Sequence, residues 1–387
     1  MSENFDNKIK RLELENFTCF AKADMDFSSG INVFIGENGT GKTHILKALY
    51  ATTYDSNNAN YFIPPNNTVV DRVEGIKNGR HHKLSDKITS YLVSYFKPEN
   101  NLLQKLIRKN VSNNNLKLKV FFRKEILTID SRNATNNELK KYGLRDGEMT
   151  HYAFSDDFDT NNNSLFIPSN EMLTLYRGFI ASYERRENSF DGTHYHLAKA
   201  LDALPLRGQA LSDIKPLLDD LYKEVGVKVS NQNGQFFIHF DKENIEIEAP
   251  LAAEGIKKLA QMIYLIQNGS LNKDTILFWD EPEVNLNPRY IKVVVKFLQT
   301  LAKNGVQIFV ATHDYLLAHL LSLDASYRRE TEAPPMKFFA FYKGEDGTEI
   351  ESADTIAGIQ NNAILDEYSA YYDLEQELYY QSREQTV

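Results

Sequence analysis

Three short, largely apolar runs punctuate the chain: Ile31 to Ile35, Thr275 to Trp279 and Val306 to Ala311. Runs of this kind suit central strands of a parallel sheet covered on both faces. Each neighbours a helical pattern. Residues 42–52 read as a helix directly after the first run. Ile256, Leu259, Ile263 and Ile266 make one apolar stripe before the second. Asn287-Pro288 starts a helix that Gly305 ends before the third. Elsewhere the period changes. Leu116, Leu118, Val120 and Phe122 alternate, which predicts a strand or hairpin over 116–129. Residues 84–109 read as helical, with Leu84, Ile88 and Leu92 on one face and a break at Pro98. Residues 171–222 read as largely helical, and 227–248 as short strands around Asn233-Gly234. Asn- and Pro-rich sequence at 56–67, and Asn runs at 113–115, 136–137 and 161–163, read as loops.

The chemistry-bearing residues sit at the ends of the apolar runs. After the first comes Gly36-Glu37-Asn38-Gly39-Thr40-Gly41-Lys42-Thr43, which fits G-x-x-x-x-G-K-[ST] at every fixed position. Strand, glycine loop and helix set backbone N–H groups at a helix N-terminus, a geometry that binds polyphosphate. Lys42 is expected to neutralise β- and γ-phosphates, and the Thr43 hydroxyl to ligate Mg²⁺. The second run ends in Asp280-Glu281-Pro282-Glu283. Acids at the carboxyl end of such a strand project into the ligand crevice. Asp280 is expected to hold Mg²⁺, and Glu281 to orient and deprotonate the attacking water. The third run ends in Thr312-His313-Asp314, where His313 on the next strand is placed to contact the γ-phosphate.

This order resembles an ABC-type ATPase head. The opening segment from Ile9 to Phe20 is similar to the first strand of SMC, RecF and OLD-family ATPases, and Glu283 to Pro288 is similar to their D-loop, which brings Asn287 to the nucleotide. The segments from Ile167 to Leu173 and from Ala253 to Lys258 resemble stand-alone bacterial AAA-15 and OLD-like ATPases, many of which sit in phage-defence systems beside a separate effector. The resemblance implies ATP and Mg²⁺ as cofactors. It also implies a homodimer, or higher oligomer, in which two heads sandwich ATP and Gly255 of the signature helix faces the partner's phosphate. Two positions depart from the pattern. Ala253 stands where the signature carries Ser, which weakens the contact to the partner's nucleotide. The Gln that senses Mg²⁺ has no obvious equivalent; by position, Asn170 or Glu171 stands in.

The fold expected is therefore α/β: a P-loop core sheet with flanking helices, an antiparallel β subdomain and a helical lobe. Residues 1–55 begin the core, 56–168 form the β subdomain with a basic helical insertion, 169–250 form the lobe, and 251–387 complete the core. A chain of 387 residues suffices for this as one compact unit.

Composition changes the picture in three places. The net charge of −9 argues against non-specific nucleic-acid binding by the whole surface. Residues 71–148, however, hold 17 Lys and Arg against 9 Asp and Glu, a net +8 that leaves −17 elsewhere. Lys83, Lys87, Arg108, Lys109, Lys117, Lys119, Arg123 and Lys124 lie there, interleaved with Tyr91, Tyr95, Phe96, Phe121 and Phe122. Two readings stand: a phosphate-contacting surface, or core aromatics beneath a solvated basic face, which is the favoured one. One cysteine, Cys19, excludes an internal disulfide. A polar start and the lack of an apolar run of about 18 residues point to a cytoplasmic protein without a membrane span.

Other chemistry is thinly represented. His194-Tyr195-His196 and the acids Asp156, Asp157 and Asp159 are the metal-like clusters, and both read as surface polar sequence. No sustained heptads separate Thr43 from Gly255, so long coiled-coil arms are not expected. The roughly 70 residues after His313 lack the spaced acids of a TOPRIM nuclease. Tyr371, Tyr372, Leu374, Leu378, Tyr379 and Tyr380 give an amphipathic helix expected to pack on the head, with partner docking as the alternative. Three functions follow from these readings: an ATP-driven dimerising switch that holds or releases a nuclease or toxin in anti-phage defence, a RecF-like DNA-repair ATPase, or an ATP sensor without turnover.

Overall fold

The computed structural model describes residues 8–53, 70–73, 88, 90–98, 103–109, 116–122, 126–131, 149–154, 163–327 and 333–384. The loop expected at 56–67, Lys83, Lys87, Arg123, Lys124 and the acids at 156–159 lie outside them.

The chain opens with β1 (Arg11–Phe17), β2 (Phe20–Asp26) and β3 (Ile31–Gly36), followed by α1 (Lys42–Thr53). β4 (Val70–Val73), β5 (Leu116–Phe121), β6 (Ile126–Ser131) and β7 (Met149–Phe154) come next, and β8 (Asn163–Ile167) leads to α2 (Phe179–Glu184), α3 (Gly192–Asp202) and α4 (Gly208–Val225). A small sheet of β9 (Val227–Gln232), β10 (Gln235–Phe240) and β11 (Ile245–Glu248) turns at Asn233-Gly234, both at positive φ. Then come α5 (Glu254–Gln267), β12 (Thr275–Asp280), α6 (Pro288–Lys303), β13 (Gln307–Thr312), α7 (Tyr315–Tyr327), β14 (Met336–Gly344), β15 (Gly347–Ala353) and α8 (Ala363–Glu384).

The three apolar runs become adjacent strands. The core sheet has the order β15-β14-β3-β13-β12-β8, with β14, β3, β13, β12 and β8 running parallel. Their side chains alternate between two cores. Ile31, Val33, Ile308, Val310, Leu277 and Trp279 face the apolar sides of α5, α6 and α7. Phe34, Phe309, Ile276 and Phe278 face α1 and the antiparallel sheet, with the rings of Phe278 and Phe309 stacked 5.1 Å apart. Burial on both faces is why these runs are continuous rather than alternating. It also aligns the carboxyl ends of β3, β12 and β13 in one crevice.

The second large sheet has the order β2-β1-β5-β6-β7-β4. β1 pairs with β5 across about a hundred residues, Leu12 opposite Val120 and Leu14 opposite Leu118. The N-terminal strands thus sit with the β subdomain, and β8 sits in the core sheet. The expected hairpin is β5 and β6, antiparallel. Of the helix expected over 84–109, the described residues 88 and 90–96 are helical, and Lys97 (φ 45°) ends it before Pro98.

Of the aromatics in the basic segment, Tyr91, Tyr95 and Phe122 are buried and Phe96 and Phe121 half-buried. Lys119 lies 3.7 Å from Glu13 on the neighbouring strand. His196 is buried with its Nδ1 3.0 Å from the Tyr95 hydroxyl, and the His194 ring contacts Asp191. Among the described residues no group of three or more metal-ligating side chains occurs, and no helix is long and apolar enough to cross a membrane. The end of the chain departs from the packing expected for it. Helix α8 touches the head near its start, where Tyr368 meets Tyr315 at 4.7 Å, while Tyr371, Tyr372, Leu374, Leu378, Tyr379 and Tyr380 are exposed. Acids flanking the tyrosines keep that stretch in water.

Candidate nucleotide site

The glycines of the loop are required by geometry. Gly36 ends β3 at φ 143°, and a Cβ there would lie 2.2 Å from the Phe341 carbonyl oxygen. Gly41 has φ 90°, and a Cβ would lie 2.4 Å from Cys19 Sγ. Between them, Glu37, Asn38 and Gly39 form an exposed crown, and a Cβ on Gly39 would meet nothing within 4 Å. The Thr40 hydroxyl donates to the Glu37 carbonyl at 2.8 Å and closes the turn. The Lys42 ammonium is bent across the loop and donates to the carbonyls of Gly36 (2.7 Å) and Glu37 (2.8 Å). That places its charge inside the curve, where a phosphate chain on the crown would meet it.

Thr43 and Asp280 converge from α1 and β12. The Thr43 hydroxyl lies 3.0 Å from each carboxylate oxygen of Asp280. Burial raises the Asp280 pKa to about 6, against the hydrogen bond from Thr43, and the neighbouring Glu281 charge adds to the rise. Burial likewise lowers the Lys42 pKa, with the charges of Glu281 and Asp280 opposing. A buried carboxylate with a raised pKa beside a hydroxyl is an all-oxygen donor pair that a hard cation would stabilise in its charged form. These residues fit Mg²⁺ with a polyphosphate.

Glu281 follows at φ 49°, a strained conformation for this residue, fixed by its N–H donating to the Ala311 carbonyl at 2.8 Å. The turn directs its carboxylate to the neighbouring strand end, where Oε1 lies 3.2 Å from His313 Nδ1. Sequence reasoning did not assign Glu283. Its buried carboxylate accepts from the Thr312 hydroxyl at 2.7 Å and from the His313 N–H at 3.2 Å. It therefore fixes the strand end that carries the histidine. The signal for it was the third acid of Asp280-Glu281-Pro282-Glu283, three residues past Asp280.

The other expected positions are placed as follows. Asn287 caps α6, its side chain accepting from the Arg289 N–H at 3.0 Å. Gly255 lies in the first turn of α5, packed against Leu286, and the preceding Ala253 caps that helix with no side-chain bond. An N-terminus without a capping side chain leaves N–H groups for another acceptor. Glu171 is buried and turned away, 3.0 Å from the Lys257 ammonium. Asn170 is exposed and lines an open cavity with Lys47 and Asp191. Lys47, one turn past Thr43, donates to Asp191 at 2.6 Å and ties α1 to the lobe.

Residues 31–318 match the family model described as "AAA domain, putative AbiEii toxin, Type IV TA system". The chain belongs to that family. It is also similar to the DNA replication and repair protein RecF of Streptococcus uberis, 52% identical over 42 residues, covering 11% of this chain and 12% of that protein. The RecF of Flavobacterium johnsoniae is 36% identical over 78 residues, 20% of this chain and 19% of that one. The chain thus spans a fifth or less of the RecF proteins it matches. Among solved structures, an SMC head bound to the C-terminal winged-helix domain of ScpA covers 90% of this chain and 98% of its own, with a TM-score of 0.50 at 11% identity. The fold is that of an ABC-type ATPase head.

Proposed function

We propose that this member of the AAA-domain family hydrolyses ATP and works as a nucleotide-driven dimerising switch. The observation that carries the reading is the convergence of Lys42, Thr43, Asp280, Glu281 and His313 at the ends of three adjacent parallel strands. In this reading the loop and Lys42 bind the phosphates. Thr43 and Asp280 hold Mg²⁺, which supplies charge neutralisation when bound. Glu281 accepts the proton of the attacking water, and His313 supports charge on the γ-phosphoryl group. The uncapped start of α5 faces the phosphates bound to a second copy. Ala253 brings no hydroxyl to that contact, so the dimer relies on backbone N–H groups and turns over slowly.

The output proposed is control of a separate effector protein, a nuclease or toxin in anti-phage defence. The support is the resemblance to defence ATPases and a family description that itself names a toxin system. A second reading, DNA repair, is favoured by the local similarity to RecF. The two separate in one experiment. Tagged Glu281→Gln protein is recovered from its own host with ATP and Mg²⁺, and bound protein and nucleic acid are quantified. A stoichiometric protein partner with effector activity supports the switch. Recovery of DNA alone, with steeply salt-dependent binding, supports repair instead.

A further inference from the structure

Helix α5 carries two consecutive lysines, Lys257 and Lys258, that are almost wholly buried although they point in different directions. Lys257 Nζ reaches backwards to the strand-end segment after β8. It pairs with Glu171 at 3.0 Å and donates to the Thr174 hydroxyl at 2.9 Å and to Glu254 at 2.5 Å. One turn later the fully buried Gln261 accepts from the Met172 N–H at 2.7 Å. Lys258 reaches forwards to the acid turn. Its ammonium donates to the backbone carbonyls of Glu281 (3.2 Å) and Val284 (2.9 Å). The same turn is pressed against the first residues of α5: a Cβ on Gly255 would lie 2.7 Å from Leu286 and 3.2 Å from the Asn285 carbonyl oxygen.

These contacts have a common logic. Burying an ammonium is costly unless hydrogen bonds satisfy it. Lys258 gives its bonds to main-chain carbonyls, and one of them belongs to the strained residue that carries the candidate base. Any shift of α5 along its axis therefore either carries the Glu281–Val284 turn with it or breaks two charge-assisted bonds. The start of α5 has no side-chain cap, so that is where a phosphate from outside the chain would bear on the helix.

We infer that Lys258 is a positioning residue that transmits engagement of a second copy's nucleotide at the start of α5 to Glu281 of its own chain. This rests on the dimerising reading above. A head standing alone then holds Glu281 in one setting of the Lys258 clamp. Docking of a second ATP-loaded head at Gly255 shifts α5, and the clamp carries the Glu281–Val284 turn with it. Hydrolysis becomes dependent on dimerisation through this lysine rather than through a residue that crosses the interface.

The test compares turnover per head with protein concentration for the wild type and Lys258→Met, with ATP affinity and melting temperature measured in parallel. The wild type is expected to gain about tenfold in turnover per head as it passes from monomer to dimer, a gain of about 1.4 kcal/mol in coupling. Lys258→Met is expected to bind ATP and dimerise with a turnover that no longer rises. An equal rise in the variant overturns the inference. A wild type that never dimerises with ATP overturns the dimerising reading itself, which is a different result. Hydrogen exchange on Glu281→Gln protein covers the case in which Lys258→Met does not fold. Dimer formation with ATP is expected to change protection at the Val284 and Leu286 amides, which bond within the acid turn. Protection confined to the start of α5, with those two amides unchanged, overturns the inference.

Discussion

Glu281 Oε1 lies 3.2 Å from His313 Nδ1 across two neighbouring parallel strands, and Glu283 holds the histidine's backbone at the same place. The proposed water-activating acid and the proposed phosphate-facing histidine are thus set by one local structure. His313→Ala is expected to lower kcat by about 10²-fold with ATP affinity within a few-fold of wild type. Steady-state kinetics alongside equilibrium nucleotide binding checks this. A loss confined to KM would assign the histidine to binding only.

The paired oxygens of Thr43 and Asp280 predict a specific metal phenotype. Thr43→Ala removes one donor and also the hydrogen bond that opposes the rise in the Asp280 pKa. The Mg²⁺ concentration for half-maximal activity is expected to rise by about tenfold or more. Titration of Mg²⁺ at saturating ATP reads the effect, and an unchanged midpoint would remove Thr43 from the metal site.

Gly41 joins a left-handed backbone to a tight contact with Cys19. Gly41→Ala is expected to destabilise the loop by about 1–3 kcal/mol and to abolish ATP binding. Gly39→Ala, at positive φ but in open space, is expected to cost less. Comparing the two by denaturant unfolding and nucleotide binding separates backbone strain from crowding.

The buried pair Lys257–Glu171, each side chain about 5% exposed or less, predicts strong non-additivity. Lys257→Met leaves a buried carboxylate and is expected to cost about 3–5 kcal/mol. Lys257→Met combined with Glu171→Leu is expected to recover most of that loss. A double-mutant cycle by chemical denaturation measures the coupling.

Burial holds the His196 pKa at about 3, far below its ordinary value of 6.5. The unfolded chain takes up this proton below about pH 6.5 and the folded chain does not, so acid favours unfolding. Stability is expected to fall by about 1.4 kcal/mol per pH unit from this group as pH drops from 6.5 towards 3. Asp191 adds to acid lability: burial opposes its ionisation, but the His194 hydrogen bond and the Lys47 ammonium outweigh burial and hold its pKa low. Its contribution is present above the ordinary carboxylate pKa and is lost as pH falls below it towards the lower folded value. Unfolding of His196→Asn at pH 7 and pH 5 checks the first term, which the variant is expected to lack.

Much of the core was legible because its signals are local. A strand, a glycine loop and a helix follow one another within 25 residues, and the acids and the histidine stand directly after apolar runs. The Asn233-Gly234 turn and the cap at Asn287 are equally local. What could not be read was set by distant partners. Nothing in 9–20 states that β1 pairs with β5 rather than joining the core sheet. Lys257 and Lys258 fall off the apolar stripe of α5, yet both are buried, Lys257 by partners in 171–174 and Lys258 by carbonyls of 281 and 284. Glu171 was a candidate metal sensor by position, and only its pairing with Lys257 shows that it faces away.

The proposed switch requires that ATP join two heads. The most direct measurement is the mass of Glu281→Gln protein by sedimentation, without nucleotide, with ADP and with ATP and Mg²⁺. A heavier assembly is expected with ATP alone, and Lys42→Ala is expected to abolish it in the double variant. An unchanged mass while ATP is demonstrably bound would contradict the proposed switch.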